Sequence, residues 1–375
     1  MRRHEDNVGE AELLRCERFH EESPGLAEYE LFSGGESSLK AMNAAIAETQ
    51  DHFDAQFFSF EADEVGLETA EAMMTAAGNG KRGRVLIDSF ILYNQDDRYL
   101  YLPWRDRETR TRLFDKFTAT KNMIRNMRGE GLDVKVGTPG LPGPARLGRN
   151  HGKLVLVDEG IEPVQSAWLG GVNPTEPNAS WHDLMVKITS QTIAGHPIRS
   201  LQSTFDQTWK GWTSRGIYLY AGGLVAADAP GVGAIFPLAL RLIERANESV
   251  VLESPYLHGR HIWRALARAA SRDVEASVIV PLNNHKRFGT PNEKVLERAT
   301  NDGINVYRYA ANNGMTHARG LRADNWAMVG SYPFNHLISA RLAELAMATP
   351  DPFFVESLDD FFANDIEKSE PHMTS

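Results

Sequence analysis

The chain has 375 residues, 42% of them hydrophobic and 24% charged, with a formal net charge of −10. That length allows one large domain or two medium ones, each with its own core, and the acidic balance argues against a nonspecific nucleic-acid binder, whose affinity comes from neutralising phosphates. A lone cysteine, Cys16, excludes an intrachain disulfide and suits a reducing compartment.

In chain order, the Met1-Arg2-Arg3 start leads into an acidic stretch with no apolar run behind the arginines. No window offers the about 20 apolar residues a membrane span needs, so membrane contact is expected to be peripheral. Apolar spacing predicts helices over Ser37–Thr49, Leu67–Ala77 and Thr111–Arg128, and strands at Ala55–Phe60, Arg84–Ser89, Leu132–Val136 and Lys153–Val157. An aromatic and charged insertion, Leu92–Arg107, interrupts this run, and a Pro/Gly stretch, Gly137–Gly148, precedes His151. A helix over Gln202–Trp212 then gives way to the Gly- and Ala-rich stretch Gly222–Gly233.

The second half repeats the pattern: helix Pro237–Ala246, strand Ser249–Leu252, helix His261–Ala270, strand Glu275–Val280, helix Asn292–Thr300, strand Ile304–Arg308. A last helix is predicted over Ser357–Ile366. Alternating strands and helices argue for an α/β fold with a largely parallel sheet. Its twofold repetition argues for two pseudo-symmetric lobes, each a mostly parallel sheet flanked by helices, over residues 30–212 and 213–368.

One constellation occurs once per half. His151, Lys153 and Asp158 are followed by Gly170-Gly171-Val172-Asn173; His317, Arg319 and Asp324 are followed by Gly330-Ser331. With 12 His, 40 Lys+Arg and 50 Asp+Glu in the chain, random placement of a His, a cation two residues on and an acid seven residues on gives about 0.2 matches. Two occur, at corresponding places in the repeat. Residues i and i+2 of a strand share a face, so each lobe is expected to offer one imidazole and one cation to a common cleft. Phosphodiester transfer needs this set: one imidazole to attack phosphorus, a second to move protons, and cations on the nonbridging oxygens, with no metal or cofactor.

These motifs resemble the signature of the phospholipase D superfamily, and the resemblance runs from about Leu31 to about Ile366. Arg149-Asn150-His151, Trp168–Asn173, Trp181-His182-Asp183, Ser254-Pro255-Tyr256, Phe205–Trp209 and Gly330-Ser331 with Glu344 look most like bacterial cardiolipin synthases. The resemblance implies condensation of phosphatidylglycerol, or a related phosphatidyl transfer, through a phosphohistidine. It implies a phospholipid partner and a cytoplasmic protein resting on the inner face of the cell membrane, with the oligomeric state open. It places a carboxylate about thirty residues after each motif histidine, bonded to the ring nitrogen not used in catalysis; Asp183 and Glu344 fit. It also casts Gly171, Asn173, Ser331, Asn335 and Tyr256 as substrate-binding, and Asp158 and Asp324 as structural.

The second motif departs from the family in Arg319, where Lys is usual, and Pro333, where Asn is usual; Asn335 stands near enough to take over the amide role. With the first motif intact, His151 is read as nucleophile and His317 as general acid/base. Competing readings are a hydrolase, nuclease or other phosphodiesterase of the same superfamily, and a non-catalytic lipid-binding homologue with a degenerate second motif. His4, His20, His52, His196, His258, His261 and His372 are read as ordinary histidines, and His182 as a simple polar contact. Asn284–Arg287 reads as a solvated basic loop and Tyr93–Trp104 as a lipid-facing lip or plain loop packing.

Overall fold

Strands Leu154–Val157 and Leu184–Ser190 alternate their side chains between two apolar layers, and that alternation sets the architecture. Leu154 and Leu156 enter one core cluster while Val155 and Val157 enter another, as the period-two geometry of a strand buried on both faces requires. The computed structural model describes residues 11, 13–18, 27–92, 107–137, 149–158, 166–190, 197–211, 215–220, 223–229, 233–257, 260–283, 293–335 and 342–372.

The first half supplies β1 (Ala27–Ser33), α1 (Gly35–Ala47), β2 (His52–Phe57), α2 (Glu64–Gly78), β3 (Arg82–Ile87), α3 (Arg107–Gly129) and β4 (Asp133–Val136). There follow β5 (Arg149–Asn150), β6 (Leu154–Val157), β7 (Ser166–Gly170), α4 (Glu176–Ser180), β8 (Leu184–Ser190) and α5 (Pro197–Trp209). The second half supplies β9 (Gly216–Tyr220), β10 (Gly223–Asp228), α6 (Ile235–Arg245), β11 (Ser249–Glu253), α7 (Arg260–Ala270), β12 (Glu275–Pro281), α8 (Glu293–Asn301) and β13 (Asn305–Tyr309). It ends with β14 (Gly320–Ala323), β15 (Trp326–Gly330), β16 (Leu342–Thr349), α9 (Pro352–Glu367) and β17 (Ser369–Pro371). Helix starts are fixed locally: Asp63 accepts from the Gly66 N–H at 3.0 Å and Asp351 from the Phe354 N–H at 2.9 Å.

The first sheet runs β1-β8-β7-β6-β2-β3-β4. The second runs β10-β16-β15-β14-β11-β12-β13 along the same path, with β9 added beyond β10 and β17 beyond β13. The same strand order, element for element, confirms the expected α/β fold with two pseudo-symmetric lobes and flanking helices. The sheets are mixed, however, where mostly parallel ones were expected. Along the two sheet paths parallel pairing joins β2-β3-β4 and β11-β12-β13, where α2, α3, α7 and α8 supply the crossovers that neighbouring parallel strands need. The motif strands β6 and β14 each turn back antiparallel onto the next strand, a return that helix and strand periodicity does not encode.

Each lobe has an outer core between sheet and helices. A third core lies between the sheets and takes side chains from both halves: Leu154, Leu156 and Leu184 pack with Val225, Leu345, Phe354 and Phe362. The two-residue β5 of the first half pairs in parallel with β16 of the second.

Candidate active site

His151-Gly152-Lys153 and His317-Ala318-Arg319 lie just ahead of β6 and β14 rather than within them. Their backbones are held across the molecule instead of along a strand. The His151 N–H donates to the Ala343 carbonyl at 2.8 Å, and the His317 N–H donates to the His182 carbonyl at 2.7 Å. In each case the accepting residue immediately precedes the other half's carboxylate. Within the first half, Asp88 accepts from the Asn150 N–H at 2.7 Å, and the Gln56 amide donates to the Asn150 side chain at 3.1 Å.

The side chains repeat the exchange. His151 Nδ1 is 2.9 Å from Glu344 Oε2, and His317 Nδ1 is 2.6 Å from Asp183 Oδ2. The pairing is therefore crossed: each histidine is oriented by the carboxylate that follows the other motif, not its own. Spacing along the chain could not show this, because it carries no information about which lobe a strand faces. The four residues expected to work as His–acid pairs are brought together, with the partners swapped.

Arg319 Nη2 lies 2.7 Å from His317 Nε2. A guanidinium only donates, so Nε2 accepts and the ring proton sits on Nδ1, facing Asp183. The Arg319 Nε and Nη1 atoms are buried with no hydrogen-bond partner among the described residues. Lys153 is fully buried, donates to the His151 carbonyl at 2.7 Å and lies 5.4 Å from the centre of the Phe58 ring.

Electrostatics tie the groups into one site. Burial pushes His317 down to about 3, with Arg319 and then Lys153 adding to it against the pull of Asp183. Burial likewise holds His151 well below the usual imidazole range, with Lys153 and Arg319 contributing. Burial raises Glu344 to about 7, opposed by Lys153, by the Ser331 hydroxyl and by Arg319. Each cation thus acts on both histidines, one of them in the other half.

The residues expected to bind substrate divide into two groups. Gly171 and Ser331 serve the carboxylates. A Cβ on Gly171 would fall 2.1 Å from Asp183 Oδ1, so only glycine lets that carboxylate approach. Ser331 donates its hydroxyl to Glu344 Oε2 and accepts from the Leu345 N–H at 3.1 Å. Asn173 is committed to a loop: it accepts from the Ser59 N–H at 3.0 Å and donates to Asn178 Oδ1 at 3.2 Å. Asn335 is buried, and the Pro333 carbonyl accepts from the Ser254 hydroxyl at 2.6 Å. Tyr256 stands edge-on to His317, ring centres 6.0 Å apart.

Asp158 sits at the far end of β6, 3.8 Å from His52 Nδ1. Asp324, with φ of 48°, accepts from the backbone N–H groups of Asn247, Glu248 and Ser249 at the start of β11. The expectations placed on residues 93–106, 138–148 and 284–287 fall outside the described residues.

Sequence reasoning missed three features. The Phe58 ring meets His151 at 4.8 Å and Trp181 meets His317 at 4.5 Å. Phe58 follows β2 as Tyr256 follows β11, so the internal repeat itself was the available signal. The third is a buried polar cluster beneath His317: His182 Nε2 is 2.6 Å from Asp365 Oδ2, and Thr316 donates to Glu253. The His182 ring is stacked between Tyr309 and Phe361. Burial, with Asp365 adding to it, pushes the Glu253 carboxyl well above its usual range and favours its protonated form.

Two like lobes that exchange backbone and side-chain anchors around paired histidines define a class, and the comparisons agree with it. Residues 239–366 match the family described as cardiolipin synthase, PLD-like domain. The fold resembles the phosphatidylserine synthase of Haemophilus influenzae Rd KW20, with a TM-score of 0.67 at 12% identity, covering 96% of this chain and 92% of that one. Sequence and fold together are similar to the phospholipase D superfamily, and residues 239–366 match its PLD-like domain. Within it, the sequence is close to cardiolipin synthases. It is 25% identical to cardiolipin synthase A of Pseudomonas entomophila strain L48, over 91% of this chain and 69% of that protein. It is 22% identical to cardiolipin synthase 1 of Staphylococcus epidermidis strain RP62A, over 91% and 68%.

Proposed function

We propose that this protein transfers a phosphatidyl group from phosphatidylglycerol, or a related phospholipid, to a second alcohol, through a covalent phosphohistidine. The crossed pair of His–carboxylate contacts around two buried cations carries the reading. His151 is the nucleophile. Its Nδ1 is engaged by Glu344, and its side chain is 14% exposed against 6% for His317, whose Nε2 already accepts from Arg319.

The phosphate binds between Lys153 and Arg319, whose unpartnered Nε and Nη1 donors suit nonbridging oxygens. An anion there draws the Arg319 guanidinium from His317 Nε2 and offsets the cationic field on both imidazoles, so His317 can take up a proton on the freed Nε2, with Asp183 stabilising the imidazolium. As His151 Nε2 bonds to phosphorus, the bond from phosphorus to the glycerol oxygen breaks, and His317 gives that oxygen its proton. The incoming hydroxyl then loses its proton to His317 as its oxygen bonds to phosphorus and the P–N bond breaks. Arg319 in place of lysine keeps the charge and adds a contact to His317 Nε2, which argues against a degenerate second motif.

The test is incubation with phosphatidylglycerol and mass spectrometry of the lipids. Wild type is expected to form cardiolipin and release glycerol, and His151→Ala to lose turnover by at least about 10⁴-fold. Phosphatidic acid as the sole product would establish hydrolysis instead of transfer, and full activity in His151→Ala would end the reading.

A further inference from the structure

Helix α3 is built in two unlike halves. Its buried residues, Thr120, Met123, Ile124 and Met127, all lie in the second half, and the last three pack into the first lobe's outer core. The first half has no buried residue. Along one side run Arg107, Arg110, Phe114, Phe117, Lys121 and Arg125, three or four residues apart and so on a single helical face. Phe114 is 67% exposed, and the Lys121 ammonium lies 4.1 Å from the centre of the Phe117 ring. Glu108 and Asp115 lie off this face. The stripe is thus wholly cationic and aromatic on a chain whose net charge is −10.

We propose that this face of α3 docks the protein on an anionic lipid bilayer. The inference deepens the phosphatidyl-transfer reading and rests on it for its relevance to catalysis. Charge complementarity selects the partner: four cations on one helix face suit a surface of anionic headgroups. The exposed phenylalanine between them selects a bilayer over a purely ionic partner, because an aromatic ring flanked by cations matches the boundary between headgroups and acyl chains. No helix among the described residues is long and apolar enough to cross a membrane, so this contact is peripheral.

The helix also stands on a wall of the candidate site. On its opposite side Lys116 pairs with Glu61 and Asp63, and the Thr120 hydroxyl accepts from the Ala62 N–H at 3.0 Å. These partners belong to the loop that begins with Phe58, the ring against His151. A bilayer seated on α3 is therefore linked through this loop to the nucleophile's surroundings.

The experiment is co-sedimentation of the full chain with phosphatidylcholine vesicles, with and without phosphatidylserine, so that binding is read on a lipid that is not the proposed donor. Binding is expected only to the anionic vesicles. The double variant Arg110→Glu/Lys121→Glu is expected to weaken it by at least about tenfold, and Phe114→Ala by several-fold, with circular dichroism unchanged. Arg298→Glu, the same kind of charge change on exposed α8, is expected to leave binding intact. Equal loss in Arg298→Glu, no binding by wild type, or retention of binding by both α3 variants overturns the proposal. So does a dimer, or single-stranded DNA binding, lost in the same variants while vesicle binding persists. Turnover of a short-chain monomeric phospholipid separates the two readings. Its absence in wild type with vesicle binding intact refutes the catalytic reading alone, and its persistence in α3 variants that no longer bind vesicles supports both.

Discussion

Gly171 and Ser331 occupy matching positions after β7 and β15, yet they position their carboxylates by opposite means. Asp183 is drawn so close to the backbone that only a hydrogen fits at Gly171, whereas Glu344 is held by the Ser331 hydroxyl. Gly171→Ala is therefore expected to displace Asp183 from His317. Steady-state kinetics should show kcat lower by about 10²–10⁴-fold, and chemical denaturation a stability loss of about 1–3 kcal/mol. Wild-type kinetics in this variant would show that the contact between Asp183 and His317 is not needed. At this scale the sequence revealed a great deal. Repeated spacing singled out His151, Lys153, His317 and Arg319, the family resemblance added Asp183 and Glu344, and all six meet in the site. The crossed pairing stayed hidden, because it depends on how two sheets face one another. The loop contacts of Asn173 stayed hidden for a related reason: its amide meets Ser59 and Asn178, one residue distant in sequence and the other local, and a motif alone does not carry such contacts.

Among the elements, the two half-copies match strand for strand, and the acidic residue of each motif marks where its strand turns. Asp324 holds three backbone N–H groups while itself adopting a left-handed conformation, φ 48°. Alanine there forfeits the acceptors and tolerates that conformation poorly. Asp324→Ala is expected to cost about 2–3 kcal/mol by urea denaturation while leaving kcat of the folded protein within about twofold, since Asp324 touches neither histidine. A large fall in kcat at unchanged stability would place it in the reaction instead. Helices were the most legible elements: Ser37–Thr49 and Thr111–Arg128 were read within a few residues of α1 and α3, because an amphipathic stripe announces itself locally. The antiparallel returns β6–β7 and β14–β15 were not. Strands such as β6, buried on both faces, carry no alternation of apolar and polar residues from which direction or partner can be read.

For the molecule as a whole, the core between the sheets decides how the protein comes apart. Leu154, Leu184, Val225, Leu345 and Phe354 share that core, so neither lobe can unfold without exposing apolar surface of the other. Activity and far-UV circular dichroism are expected to be lost together in urea, in a single transition with coincident midpoints. Two separated transitions would mean that the lobes are energetically independent. That the chain is a doubled unit was readable from its internal repeat. That the doubled units share a core, and do not merely touch, was not, because it depends on which strand faces pack across the two sheets.

The exchange of anchors between the halves also bears on how such a sequence can drift. A change at position 344 is felt at residue 151, and a change at 183 is felt at 317, so each half inherits constraints written in the other. A chimaera that joins the first half of one homologue to the second half of another must therefore carry compatible residues at both couples, and natural variation at these positions should travel in pairs.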